Sequence, residues 1–250
     1  PDVEASEDFS GNRPMVVPPL LLPRAFRCAI SSLMRPRGRV AAGAQSGLRP
    51  FGPVEYLGDA AVTKDELRKR LRQARRAHVA SLPVSMAGLL FRHPPKPLLE
   101  LIPHKAIIGL YAATADEAPT RSYAEYFFER GHTLALPRLA DRQAPMEFAR
   151  HIDPLGESDL EHGPFGLTQP GSAAERIVPD VLFVPLLGFT ARGERMGQGA
   201  GHYDRWLAEH PATLRIGMAW DCQLVKALPV EPHDVMLNAV VTPTRFYGPF

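Results

Sequence analysis

From Thr63 onward the chain alternates short apolar runs with amphipathic stretches, and this alternation constrains the fold more than any other feature. The apolar runs fall at 106–112, 133–136, 147–149, 181–187, 215–219 and 239–241. Between them the spacing predicts helices over 64–80, 122–130 and 203–209, the second stopped by Gly131. The first opens on Thr63 and Glu66, a T-x-x-E capping box, followed by Leu67, Leu71 and Ala74 at helical spacing. Strands that are apolar throughout, each followed by a helix, belong to parallel sheets covered on both faces. The expectation is a single three-layer α/β domain over 62–250, with a mainly parallel sheet and helices on both faces.

Residues 1–61 have a different character. They contain eight prolines and no lysine, and no apolar period persists over a full element. Seven arginines and no acid lie between Gly11 and Val54, an organelle-transit-like bias, yet Asp2, Glu4, Glu7 and Asp8 crowd the start. We read this segment as an extension that is disordered or lies outside the working protein.

Composition excludes several classes. Net charge is +2, too small for a dedicated nucleic-acid binder. The longest apolar run, 181–189, is interrupted by Pro185 and Gly188 and is far shorter than the roughly 20 residues of a membrane span. Cys28 and Cys222 form neither a C-x-x-C pair nor a disulfide framework, which suits a reducing, cytoplasmic setting. The nine histidines show no metal-ligand spacing, and no G-x-S-x-G nucleophile elbow exists.

The most informative segment is Arg195-Met196-Gly197-Gln198-Gly199-Ala200-Gly201-His202-Tyr203-Asp204, lying between an apolar strand and a helix. Glycines at alternate positions let backbone N–H groups approach phosphate oxygens, and the helix start adds further donors. It is neither a Walker A loop nor a dinucleotide fingerprint, and on spacing alone a surface turn explains it equally well. Arg195, which can pair with phosphate, and Asp204, which can hold the Mg²⁺ accompanying ATP, favour the phosphate cradle.

Together with the preceding Pro185-Leu-Leu-Gly-Phe189, this loop resembles that of the 5-formyltetrahydrofolate cyclo-ligase family, also called 5,10-methenyltetrahydrofolate synthetases. Lys64-Asp65-Glu66-Leu67-Arg68 is similar to the family's K-x-x-L-R segment, and the resemblance implies an ATP site there, with Arg68 also reaching folate. The turn Asp116-Glu117-Ala-Pro-Thr120, after a strand ending at Tyr111 and Ala112, resembles the family's D-E-x-x-T. Ala112, Glu117, Arg68 and Tyr203 are thereby implied to contact folate. A helix-leading turn with Pro119 and a capping Thr120 explains Asp116 and Thr120, but not Glu117. Leu136-Pro-Arg138 also resembles a family segment, with Arg138 placed for a ligand anion, and 165–170 resembles a structural family turn. His233-Asp234 is similar to the family's carboxy-terminal H-D, which implies Asp204 and Asp234 as the Mg²⁺ ligands. Lys69, Arg70, Arg72, Arg75 and Arg76 are expected to form a solvated helix face.

The resemblance covers about 63–242. It implies a monomeric enzyme of one-carbon metabolism that uses ATP and Mg²⁺ to convert 5-formyltetrahydrofolate to 5,10-methenyltetrahydrofolate, with residues 64–68 and 195–203 at ATP and no covalent nucleophile. The chain departs from the family pattern at Ala200, where many members carry lysine, at His202 in place of tyrosine, and at Asn238 in place of aspartate. A binding homologue without turnover and, less readily, a nucleic-acid-associated protein are the alternatives.

Overall fold

The computed structural model describes residues 63–83, 86 and 89–250, so the expectation for 1–61 lies outside the described residues. Helix α1, Lys64–Ser81, begins where Thr63 caps it, its hydroxyl accepting from the Glu66 N–H at 3.3 Å. The box is one-sided, because the Glu66 carboxylate turns instead to Arg70 at 3.1 Å. A short helix α2, Lys96–Leu99, leads into strand β1, Ile107–Gly109. Helix α3, Arg121–Glu129, connects β1 to β2, Thr133–Arg138, and β3, Glu147–His151, follows.

A small hairpin of β4, Leu160–His162, and β5, Thr168–Pro170, precedes β6, Val181–Pro185. A second hairpin, β7 at Gly188–Phe189 and β8 at Arg195–Met196, carries the glycine loop into α4, His202–Glu209. Strands β9, Leu214–Met218, β10, Ala239–Val241, and β11, Phe246–Tyr247, complete the fold. Neither hairpin nor β11 follows from apolar periodicity.

The main sheet has the order β11-β10-β9-β6-β1-β2-β3, and its five inner strands are parallel. The edge strands β3 and β11 are antiparallel. The inner strands are apolar on both faces because both are covered. On one face Ile108, Leu134, Phe183, Ile216 and Val241 meet Tyr123 and Phe127 of α3. On the other, Ala135, Leu182, Val184 and Val240 meet Trp206 and Leu207 of α4. The three-layer arrangement matches the sequence expectation. No described helix is long and apolar enough to cross a membrane.

The strand order carries a functional consequence. From β1 the chain moves to β2 on one side, then returns through β6 on the other side of β1. The connections therefore diverge at the carboxyl ends of β1 and β6, where open α/β sheets hold their ligands.

Arg138, expected at a ligand, is instead a structural clamp and is 8% exposed. Its guanidinium donates to Glu147 at 2.7 and 2.9 Å and to the carbonyls of Gly171, Ser172 and Ala174 at 2.8 to 3.2 Å. It ties the end of β2 to β3 and to the segment after β5. Arg138→Ala should lower unfolding stability by about 2–3 kcal/mol, below the roughly 3–5 kcal/mol for breaking a buried pair, because Glu147 keeps a second partner in Arg176. Urea unfolding measures this; unchanged stability with weakened ligand binding would restore the anion-binding role.

Candidate functional site

At the switch point lies a cavity of about 860 Å³, lined by Tyr111 and Ala112 after β1, Pro137 of β2, Pro185 of β6, one side of α1 and the glycine loop. A smaller hollow of about 470 Å³ adjoins it and shares Tyr111, Ala112, Thr114, Glu117 and Thr168. Glu117 therefore stands at the junction of the two.

The turn after β1 is built around its backbone. Tyr111 donates through its hydroxyl to the Ala118 carbonyl at 2.6 Å, and Thr120 donates to the Tyr111 carbonyl at 2.8 Å. Thr120 does occupy the cap position of α3, but its hydroxyl makes no capping bond. The Thr114 N–H donates to Glu117 Oε2 at 2.9 Å, and Gln198 Nε2 donates to Glu117 Oε1 at 3.1 Å.

Arg75 is the largest departure from the sequence expectation. Expected on a solvated face, it is 3% exposed. It pairs with Asp116 at 2.9 Å and approaches Glu117 at 3.5 Å, and it donates to the Leu186 carbonyl at 3.4 Å. Burial raises the Asp116 pKa, but the hydrogen bond and charge of Arg75 outweigh it and hold the carboxyl below its ordinary value. Arg72 and Arg76 also line the cavity, so this side of α1 presents Lys64, Arg68, Arg72 and Arg76, one every fourth residue. Lys69 and Arg70 remain exposed, as expected.

The loop has the conformation its glycines permit. Gly199 and Gly201 have φ of +113° and +68°, a region that side chains with a Cβ rarely enter. Gly201 caps α4 without a side-chain bond, leaving the first N–H groups of that helix available at the cavity. Arg195 pairs closely with Asp204 and donates to the Pro185 carbonyl at 3.5 Å. Asp204 Oδ1 lies 3.5 Å from the Val235 N–H, which places it beside the segment carrying Asp234.

Asp234 in turn accepts from Lys64 at 2.9 Å, and Glu231 lies 3.2 Å from the same ammonium. Burial lowers the Lys64 pKa, yet the hydrogen bonds of Asp234 and Glu231 hold it above its ordinary value. Asp234 shows the converse, with burial opposed and overcome by Lys64. Ligand atoms of Glu231, His233 and Asp234 come within 4.8 Å of one another. Asp204 and Asp234 both line the cavity, and carboxylate oxygens are the hard donors that suit Mg²⁺, but Asp204 lies outside the cluster of Glu231, His233 and Asp234.

Burial, and then the neighbouring Glu117, push the Tyr203 phenol well above its usual range, so it stays neutral at working pH. His202 is shifted the other way, by burial and by Arg205, which favours a neutral imidazole. Near neutral pH, neither Ala200 nor His202 adds a positive charge to the loop.

Among the described residues, the buried side-chain nitrogens without a hydrogen-bond partner are Nε of Arg68 and Nε of Arg195, both belonging to cavity-lining side chains. Buried donors are almost always satisfied, so two orphans on one cavity suit an anionic ligand. Arg68 Nε lies 3.5 Å from where a Cβ on Gly199 would sit, against the loop itself.

Of the residues expected at the site, Lys64, Arg68, Ala112, Glu117, residues 195–204 and Asp234 line this cavity. Asp65, Glu66 and Leu67 do not: Asp65 and Glu66 are exposed, and Leu67 is buried beneath α1 against Leu71, Leu187 and Met196. Sequence reasoning missed Arg72, Arg75, Arg76 and Glu231 as cavity residues. It also treated Leu167, Thr168 and Gln169 as purely structural, although they line the wall.

Comparison with known proteins agrees with this fold. The chain is 33% identical over 146 residues to the 5-formyltetrahydrofolate cyclo-ligase of Escherichia coli K12, covering 56% of this chain and 79% of that one. It is 32% identical over 140 residues to the enzyme of the same name from Mycolicibacterium smegmatis, covering 54% and 72%. A solved 5,10-methenyltetrahydrofolate synthetase from Mycoplasma pneumoniae shares the fold, with a TM-score of 0.51 at 20% identity, covering 72% of this chain and 98% of that one. The sequence model of the 5-formyltetrahydrofolate cyclo-ligase family matches residues 60–243, which take in every strand of the main sheet except β11 and all the cavity-lining residues, and the chain belongs to that family.

Proposed function

We propose that the chain converts 5-formyltetrahydrofolate and ATP to 5,10-methenyltetrahydrofolate, ADP and phosphate, with Mg²⁺ bound beside the nucleotide. The observation that carries this reading is the pair of orphaned guanidinium nitrogens, Arg68 Nε and Arg195 Nε, on a cavity that also holds Glu117, Asp204 and Asp234. Family membership supplies the reaction to which these groups are suited.

The chemistry needs positioning more than reactive side chains. A formamide oxygen is a poor leaving group until phosphorylated. It attacks the γ-phosphorus as ADP leaves; the folate N10 then attacks the activated carbon, loses its proton, and phosphate departs with the former formyl oxygen. Both nucleophiles come from substrate, so the protein contributes orientation and charge stabilisation.

Residues 197–201 cradle phosphates through backbone N–H groups, with Arg68 and Arg195 supplying charge. Arg68 lies where nucleotide and folate meet. Glu117 and Ala112, at the junction of the two hollows, orient the formylated pterin, and the neutral Tyr203 packs beside it as a hydrogen-bond donor. Asp204 and Asp234 hold Mg²⁺, which neutralises phosphate charge. In the structure these two carboxylates are paired with Arg195 and Lys64. With the nucleotide bound, Lys64 and Arg195 would turn to phosphate and leave the two carboxylates to hold Mg²⁺, so that few charges would stay unpaired. The reading places the working enzyme in residues 62–250, as a cytosolic monomer.

The full chain mixed with 5-formyltetrahydrofolate, ATP and Mg²⁺ should give ATP-dependent growth of the methenyl-folate absorbance, and a version limited to 62–250 should match it. Binding of both substrates without product would leave a non-catalytic homologue. Removing the metal with a chelator should stop turnover while folate still binds. Asp204→Asn should weaken Mg²⁺-ATP use by about 10-fold or more and folate binding far less, judged by the 10–100-fold that even outer-shell metal partners supply. Equal losses of both affinities in a folded variant would remove Asp204 from the metal.

A further inference from the structure

We propose that Gln198 is a positioning residue that couples the glycine loop to Glu117, so that nucleotide and folate bind cooperatively; this rests on the function proposed above. Gln198 lies between Gly197 and Gly199, and its amide reaches two other elements. Its oxygen accepts from Arg72 Nη2 of α1 at 3.3 Å, and its nitrogen donates to Glu117 Oε1 at 3.1 Å.

The residue type fits the task. A guanidinium only donates and an ionised carboxylate only accepts, whereas a primary amide does both from one planar group. The two partners also fix which end of the amide faces which. Lysine or methionine cannot serve both, and glutamate would serve Arg72 while repelling Glu117.

Glu117 is held from three sides: by the Thr114 N–H, by Arg75 and by Gln198. The first two partners belong to the turn after β1 and to α1, and Gln198 belongs to the loop. A loop settled on phosphate therefore fixes Glu117 Oε1 for folate, and a folate-bound Glu117 in turn steadies the loop. The effect must be reciprocal, since each ligand changes the affinity of the other by the same factor. Ala200 gives the loop no long side chain of its own at that position, and Arg72, drawn to Gln198, brings a cation to the loop from α1.

The test is the affinity of the full chain for 5-formyltetrahydrofolate, with and without a Mg²⁺-bound non-hydrolysable ATP analogue, in wild type, Gln198→Ala and Gln198→Glu. Wild type should bind folate at least about five-fold more tightly with nucleotide present, the lower end of usual couplings. Gln198→Ala should bring that ratio close to one without changing the thermal midpoint. Gln198→Glu should be worse than alanine for folate, although it keeps the Arg72 partner. If Gln198 only anchors the loop through Arg72, the glutamate variant will behave as wild type, and that result overturns the relay. So does an unchanged ratio in Gln198→Ala, or a wild type with no coupling. A chain that binds nucleotide but no folate overturns the proposed function along with the relay, whereas loss of coupling alone leaves that function standing.

Discussion

The site depends on one buried guanidinium. Arg75 reaches from α1 to Asp116 and Glu117 after β1 and to the Leu186 carbonyl after β6. These are the two strand ends between which the connections diverge, so a single side chain spans the mouth of the switch point. Trp220 adds to the same knot by donating its indole N–H to the Asp116 carbonyl at 3.1 Å. A guanidinium this buried is tolerable only when paired and hydrogen-bonded. Its partners supply that condition, and in return α1 is fixed across the carboxyl ends of the sheet. Lys64, Arg68, Arg72 and Arg76 face the cavity because Arg75 and the apolar residues beneath set the rotation of the helix.

Much of this was legible in the sequence, for reasons that differ by element. The inner strands are apolar throughout because both of their faces are covered, and a run such as Val181–Pro185 is visible without knowing its neighbours. Helix α1 carries its start in Thr63, and its apolar stripe begins with Leu67 and Leu71. Arg75 continues that stripe, since positions 67, 71 and 75 are the buried ones on this helix. A charge in an apolar register was the available signal, but it becomes decisive only once Asp116 and Glu117 are known to lie opposite. Those partners are about 40 residues away and arrive through the fold, not through local pattern.

The hairpins β4–β5 and β7–β8 were not legible for the opposite reason. Each of these strands spans two or three residues, too few to show an apolar period, and Glu161, His162 and Thr168 of the first hairpin are exposed. They matter all the same. The first places Gln169, whose side chain bonds both the Leu139 N–H and its carbonyl at 3.1 Å, on the cavity wall, and the second launches the glycine loop. Arg138 shows the limit of position-based reasoning. The carboxyl end of a strand is where ligands bind, yet β2 pairs with the antiparallel edge strand β3 there, and Glu147 with the nearby carbonyls takes up the guanidinium.

The departures at Ala200 and His202 gain meaning from where charge is actually kept. A loop lysine would bring its cation on the glycine segment itself. Here the cations sit mainly on α1, a helix held by a buried ion pair, and on Arg195, whose side chain is 3% exposed and paired with Asp204. The loop is left with backbone N–H groups, small residues, a histidine whose pKa is pushed down, and one bridging amide. With guanidinium groups gathered on the cavity wall by α1, the loop needs no cation at position 200 for phosphate charge to be stabilised in the function proposed above.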